Sequence, residues 1–190
     1  MPGAPGWPGE TRTREHQMGG DERAGGRILG RLGSAEGKGV VRMQDRFGTD
    51  IGDVWSALTD PARLARWYGE VQGDLRPGGE FRVRVLASGW EGTGRVEACE
   101  PPRRLVVTGT EPGQPGGDVS EVTLAADGGQ TILVLGQPGL PLDQLAAYAA
   151  AAQVHVEDLA AHLAGRERGD AGARMDELLP AYQDLAANIG

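Results

Sequence analysis

Cysteine and lysine are almost missing from this chain. One cysteine, Cys99, and one lysine, Lys38, stand among 190 residues. A single cysteine excludes an internal disulfide, and with it the disulfide-stapled secreted scaffolds. Positive charge rests on arginine, interleaved with a larger number of acids, for a net charge of −8. Nucleic-acid binders carry a basic excess, so phosphate-backbone binding is not expected. No apolar run approaches the roughly 18–20 residues that span a bilayer. The first residues also lack the apolar core of a secretion signal. The expectation is a soluble, cytoplasmic protein with neither nucleic acid nor membrane as partner.

Catalytic signatures are missing too. There is no C-x-x-C, no H-E-x-x-H and no G-x-S-x-G, which removes the common redox, zinc-protease and serine-hydrolase patterns. Gly33–Gly39, GSAEGKG, contains Gly-Lys, but Leu32 stands where a phosphate-binding loop needs its first glycine and Gly39 replaces the Ser/Thr. No cofactor is expected. Aromatics are scarce at 4 Trp, 3 Tyr and 2 Phe, so the places where they gather carry information.

Glycine (32) and proline (12) are plentiful. They concentrate first in residues 1–38, where apolar residues are isolated, and this segment reads as a disordered arm. Order is expected from about residue 39. GVVRMQDRF reads as a first strand. Thr49–Asp60 reads as a short helix capped by Thr49 or Asp50, and Asp60-Pro61 breaks it and opens a second one through Leu64 and Trp67. From residue 70 to 136 the period changes to two. Glu80–Ala87, Gly92–Cys99, Leu105–Gly109, Val119–Ala126 and Gln130–Leu135 alternate between apolar and polar, with a short strand at Val71–Leu75. Turn residues separate them, Pro112–Gly117 among them, and such short links imply antiparallel pairing. Leu142–Gly165 is the longest helical signal. Leu142, Leu145, Ala149, Ala152, Val156, Leu159 and Leu163 form one stripe, large at the ends and alanine in the middle. Ala171–Ile189 reads as a further helical extension, split by Pro180 and packed on its own domain. The fold class is therefore α+β: an antiparallel sheet of about six or seven strands, two short helices after the first strand, and one long helix to cover the sheet.

Four blocks in this order resemble the SRPBCC superfamily, the helix-grip fold of START-like and Bet v-like domains. They are Asp53–Tyr68, Gly78–Phe81, Gly94–Leu105 and Val156–Gly165. More narrowly, the chain is similar to bacterial homologues of the activator of heat-shock-protein-90 ATPase. The resemblance spans about residues 39–168, which sets the domain at 39–168 between the arm 1–38 and the extension 169–190. It implies a curved sheet wrapped around the long helix with a cavity between them. It also implies a small hydrophobic or amphipathic molecule as partner, held without a chemical step. A chaperone-directed interaction protein and a cyclase- or hydrolase-like enzyme are the rival readings, and a homodimer or a chaperone contact stays open.

Concave sites are mostly lined by apolar and aromatic side chains. Trp67, Trp90, Tyr148, Ala149, Ala152 and Val156 are thus the expected walls of a ligand site, with Tyr148 offering its hydroxyl as a polar handle. No catalytic or metal residues are assigned. His155, Asp158 and His162 share a side of the long helix, but about 10 Å of axial rise separates the two histidines. They read as a solvated flank. Cys99 reads as a small packed residue, and Arg95 with Glu97 as the wet side of a strand.

Overall fold

The computed structural model describes residues 27–110 and 117–189. It contains a single eight-stranded antiparallel sheet in the order β1-β2-β8-β7-β6-β5-β4-β3. The strands are β1 (Gly30–Ala35), β2 (Lys38–Phe47), β3 (Gly69–Gly73), β4 (Glu80–Val85), β5 (Glu91–Glu100), β6 (Arg104–Thr110), β7 (Asp118–Asp127) and β8 (Gln130–Leu140). Four helices, α1 (Ile51–Thr59), α2 (Pro61–Trp67), α3 (Leu145–Leu163) and α4 (Ala171–Ala186), complete the fold.

The helix breaks follow local chemistry. The Asp50 carboxylate accepts from the Gly52 and Asp53 amides and starts α1. Asp60 serves two helices. Its N–H donates to the Ser56 carbonyl at the end of α1, and its carboxylate accepts from the Ala62 amide at the start of α2. Pro61 needs no donor in that position. At the far end of α3, Gly165 sits at φ 66°. The Gly165 and Arg166 amides return to the His162 and Ala161 carbonyls, so glycine closes the helix.

Three expectations change. The arm was set at 1–38, yet residues 30–35 form β1, which pairs with β2 through the turn at Glu36 and Gly37. Both turn residues have positive φ, 53° and 74°, the twist that a two-residue hairpin requires. A Gly-rich stretch carries too little apolar surface to announce an edge strand, and this one is pinned from outside. The Tyr182 hydroxyl accepts from the Gly30 amide, and the Gln153 carbonyl oxygen accepts from the Leu29 amide. Residues 1–26 of the expected arm, and nearly all of the expected Pro112–Gly117 turn, lie outside the described residues. The sheet accordingly has eight strands rather than six or seven. Pro180, expected to split the last segment, lies inside an unbroken α4. Its missing donor frees only the Asp176 carbonyl, on an exposed turn, while buried Leu178 and Tyr182 hold both halves against the core.

Register divides the sheet into two unlike faces. Val41, Met43 and Phe47 of β2, Leu133 of β8 and Val83 and Val85 of β4 point to the helices and are buried. Every arginine and lysine in a strand points the other way: Arg31, Lys38, Arg42, Arg46, Arg82, Arg84, Arg95 and Arg104 alternate with the inward residues. The inward face of the strands carries two charges, Asp45 and Asp118, both acidic.

Candidate functional site

α3 lies over β1 and β2 with α4 beside it, and α1 reaches β7 and β8 at one end. This leaves the middle of the inner face only partly covered. The rows that cross the sheet show it. Met43 is fully buried, but its row neighbours Leu135, Val122 and Leu105 are only half-buried. Val41 is fully buried, and Gln137, Ser120 and Val107 along the same row are again half-buried. Inward-facing residues that water still reaches outline a groove beside α3.

The helix flank bordering this groove is Tyr148, Ala151 and His155, spaced three and four apart and all half-buried. Tyr68, at the end of α2, meets His155 edge-on with ring centroids 5.2 Å apart. The floor beyond has no side chains of its own, because it is glycine. The Phe81 ring covers Gly94, and the Trp90 ring covers Gly92. A Cβ at either glycine would collide with those rings.

Polar groups on the groove are few. The Gln137 amide nitrogen donates to the Ser120 hydroxyl at 3.1 Å. The Tyr148 hydroxyl donates to Asp118 at 2.7 Å near the rim. Two side-chain atoms among the described residues are buried without a hydrogen-bond partner, Gln137 Oε1 and His155 Nδ1. Burial holds His155 at about 4, aided by the Arg168 charge, so the imidazole is neutral at pH 7. Burial likewise pushes the Tyr68 hydroxyl up.

The expected site residues divide between groove and core. Tyr148 stands on the groove flank. Trp90 is half-buried over Gly92, packed on the strand that follows its turn. Trp67 is buried, with its indole N–H donating to the Ala57 carbonyl at 3.0 Å, so its neighbour Tyr68 is the ring that reaches the groove side. Ala149, Ala152 and Val156 are buried in the core on the stripe itself. Their small middle lets α3 approach the sheet closely, much as Leu145 sits against Gly39. The groove flank is one step around the helix from that stripe, and sequence reasoning passed over its Ala151, together with Ser120 and Gln137. Ser120 continues the alternation of Val122 and Leu124, but Gln137 lies beyond the expected strand Gln130–Leu135, whose continuous apolar run Ile132–Leu135 assigns no face.

The reading of His155, Asp158 and His162 as a solvated flank needs correction. His155 is packed against Tyr68, and Asp158 is buried beside Arg168 at 3.5 Å. His162 Nε2 accepts from Arg63 Nε at 3.3 Å, and Arg63 also donates to the Asp53 carboxylate at 2.7 Å. Each takes a different partner because α2 and the segment after α3 fold back onto this side. Cys99 is half-buried and burial raises its thiol, so it is held as the unreactive form.

Two hollows open on the opposite face of the sheet. The larger, about 710 Å³, is lined by Gln72, Arg82, Thr93, Arg95, Glu97 and Thr108. These side chains are mostly solvated, and Arg95 lies 4.0 Å from Glu97. An open, solvated hollow of this kind encloses a small ligand little, and the groove is the better site.

The family model for activator of Hsp90 ATPase homolog 1-like proteins matches residues 49–164, from the residue before the Asp50 cap to Ala164, the residue that follows α3. The chain belongs to this family. Its members' fold recurs in solved structures. The crystal structure of CalU16 from Micromonospora echinospora is 26% identical, with a TM-score of 0.70, covering 84% of this chain and 98% of that one. DynU16, a protein of the dynemicin biosynthetic locus, is 27% identical, with a TM-score of 0.63, covering 69% of this chain and 50% of that one. The protein encoded by gene BPP1335 from Bordetella parapertussis, at 22% identity and a TM-score of 0.63, covers 76% of this chain and 84% of that one and shares the fold. No curated protein is a significant match to the chain. The helix-grip architecture of the family is thus the architecture of this chain, and no helix among the described residues is long and apolar enough to cross a membrane.

Proposed function

We propose that this protein binds a small, largely apolar molecule in the groove between the inner face of the sheet and the Tyr148–His155 flank of α3, without transforming it. The carrying observation is the pair of buried, unpartnered polar atoms, Gln137 Oε1 and His155 Nδ1, on two residues of the groove's largely apolar walls. A buried polar atom without a partner is destabilising by about 1–3 kcal/mol, and a bound molecule that meets it relieves that penalty. The family supports the reading, as does the likeness to DynU16, a protein of the dynemicin biosynthetic locus. His155 favours binding over catalysis. With its proton affinity lowered to about 4, it is poorly matched to take a proton near neutral pH, where a general base works best.

Nile red, an uncharged fluorescent dye, tests the site. Its emission should rise saturably at one dye per chain. Ala151→Phe should abolish the rise while the urea midpoint stays unchanged, and Thr108→Phe on the outer face should leave it intact. Binding that survives Ala151→Phe and disappears with Thr108→Phe would move the site to the outer hollow.

A further inference from the structure

Resting on that groove, we infer the polar chemistry of its occupant: an uncharged molecule that presents a hydroxyl to Gln137 and His155, and not an anionic lipid or organic acid. Two independent observations lead there. The first is charge. All eight arginines and lysines of the strands face outward, and the inward face holds only Asp45 and Asp118. The groove flank of α3 adds Tyr148, Ala151 and a neutral His155. Beyond the sheet, Arg27 is paired with Asp45 at 3.3 Å, Arg63 with Asp53 at 2.7 Å and Arg168 with Asp158 at 3.5 Å. A carboxylate or phosphate buried here would lose its water with no inward-facing sheet cation to compensate, and would meet the Asp118 carboxylate at the rim. Asp118, held by the Tyr148 hydroxyl, guards the rim against an anion.

The second observation is the kind of hydrogen bond on offer. The Gln137 amide nitrogen is committed to Ser120, and its oxygen is left as a bare acceptor. His155 Nδ1 donates or accepts according to which ring nitrogen carries the proton. A hydroxyl both donates and accepts, so one functional group satisfies either atom. A ketone or ether satisfies neither Gln137 Oε1 nor the acceptor form of the imidazole. The apolar remainder rests on Tyr68, Phe81 and Trp90, with flat glycine floor beneath the last two. That surface accepts a planar ring.

Naphthalene, 2-naphthol and 2-naphthoate share one ring system and differ only in having no polar group, a hydroxyl or a carboxylate. Calorimetric titration of the full chain at pH 7 should give a Kd for 2-naphthol about tenfold below that of naphthalene, the worth of one net hydrogen bond, with 2-naphthoate weakest of the three. Gln137→Leu, similar in size, should erase the hydroxyl advantage and leave naphthalene unchanged, and His155→Phe should act in the same direction. Tightest binding by 2-naphthoate, or a hydroxyl advantage that persists in both variants, would overturn the inference while leaving the groove as the site. Failure of all three ligands to bind would overturn the groove itself, and the inference with it.

Discussion

The imidazole of His155 stays uncharged through the range where an exposed histidine titrates, because burial and the Arg168 charge hold it at about 4 against an ordinary 6.5. Below pH 6.5 the unfolded chain takes up a proton that the folded chain refuses. Stability from this residue is therefore full above 6.5 and is lost progressively as the pH falls towards 4. Between pH 7 and pH 5 the loss amounts to about 2 kcal/mol. Urea titrations at the two pH values should show that loss in the parent chain, and His155→Phe should reduce it by the same amount. An unchanged pH dependence in the variant would mean that the ring is not desolvated. Ala149 and Ala152 are a contrasting case. Both are buried under α3, so Ala149→Leu and Ala152→Phe should overpack the core and destabilise by about 1–3 kcal/mol. The half-buried Ala151 one step away should accept Phe with little change in the urea midpoint.

β1 and α4 depend on each other through one buried polar cluster. Tyr182, fully buried, donates to Gln153 Oε1 at 2.5 Å and accepts from the Gly30 amide at 3.0 Å. Gln153 in turn donates to the Arg27 carbonyl and to Glu157, which Arg174 of α4 grips with two hydrogen bonds of 2.8 Å. Tyr182→Phe leaves the Gly30 N–H without its acceptor. The expected loss is about 1–3 kcal/mol, with hydrogen exchange at Leu29 and Gly30 accelerating more than at Val41 or Met43 of the adjacent strand. Equal acceleration across both strands would show that the cluster stabilises the whole fold instead of tying the edge. This cluster also explains what the sequence revealed and what it concealed. The two short helices, the β3–β8 strands and α3 were legible because each carries its own signal: Asp50 and Asp60 as caps, alternation in Glu80–Val85, the stripe along α3. β1 carries none, since GRLGSA is held by partners 124 and 152 residues away in sequence. The groove was half-legible for a similar reason. The stripe located the face of α3 that meets the sheet, but the flank that stays wet depends on where α2 and α4 settle.

Across the molecule, charge is sorted by the sheet. Its outer face carries the strand arginines with glutamates among them, as in the Arg84–Glu91 pair at 3.4 Å and the Arg104–Glu121 pair at 2.6 Å. Exposed pairs of this sort add little stability. Their consequence is that the inner face is left largely apolar and slightly acidic, with Ser120 and Gln137 as polar points on the groove and His155 beside them on α3. Those residues lie on β7, β8 and α3, elements brought together only by the complete fold. Outer hollow and inner groove make opposite demands on a bound molecule, and backbone amide shifts separate them. In a two-dimensional NMR titration with 2-naphthol, the largest shifts should fall on Val107, Ser120, Gln137, Ala151 and His155, with Arg82, Thr93 and Arg95 unmoved. Shifts gathered on Arg82, Thr93 and Arg95, with Ser120, Gln137 and His155 silent, would contradict a ligand groove between the sheet and α3.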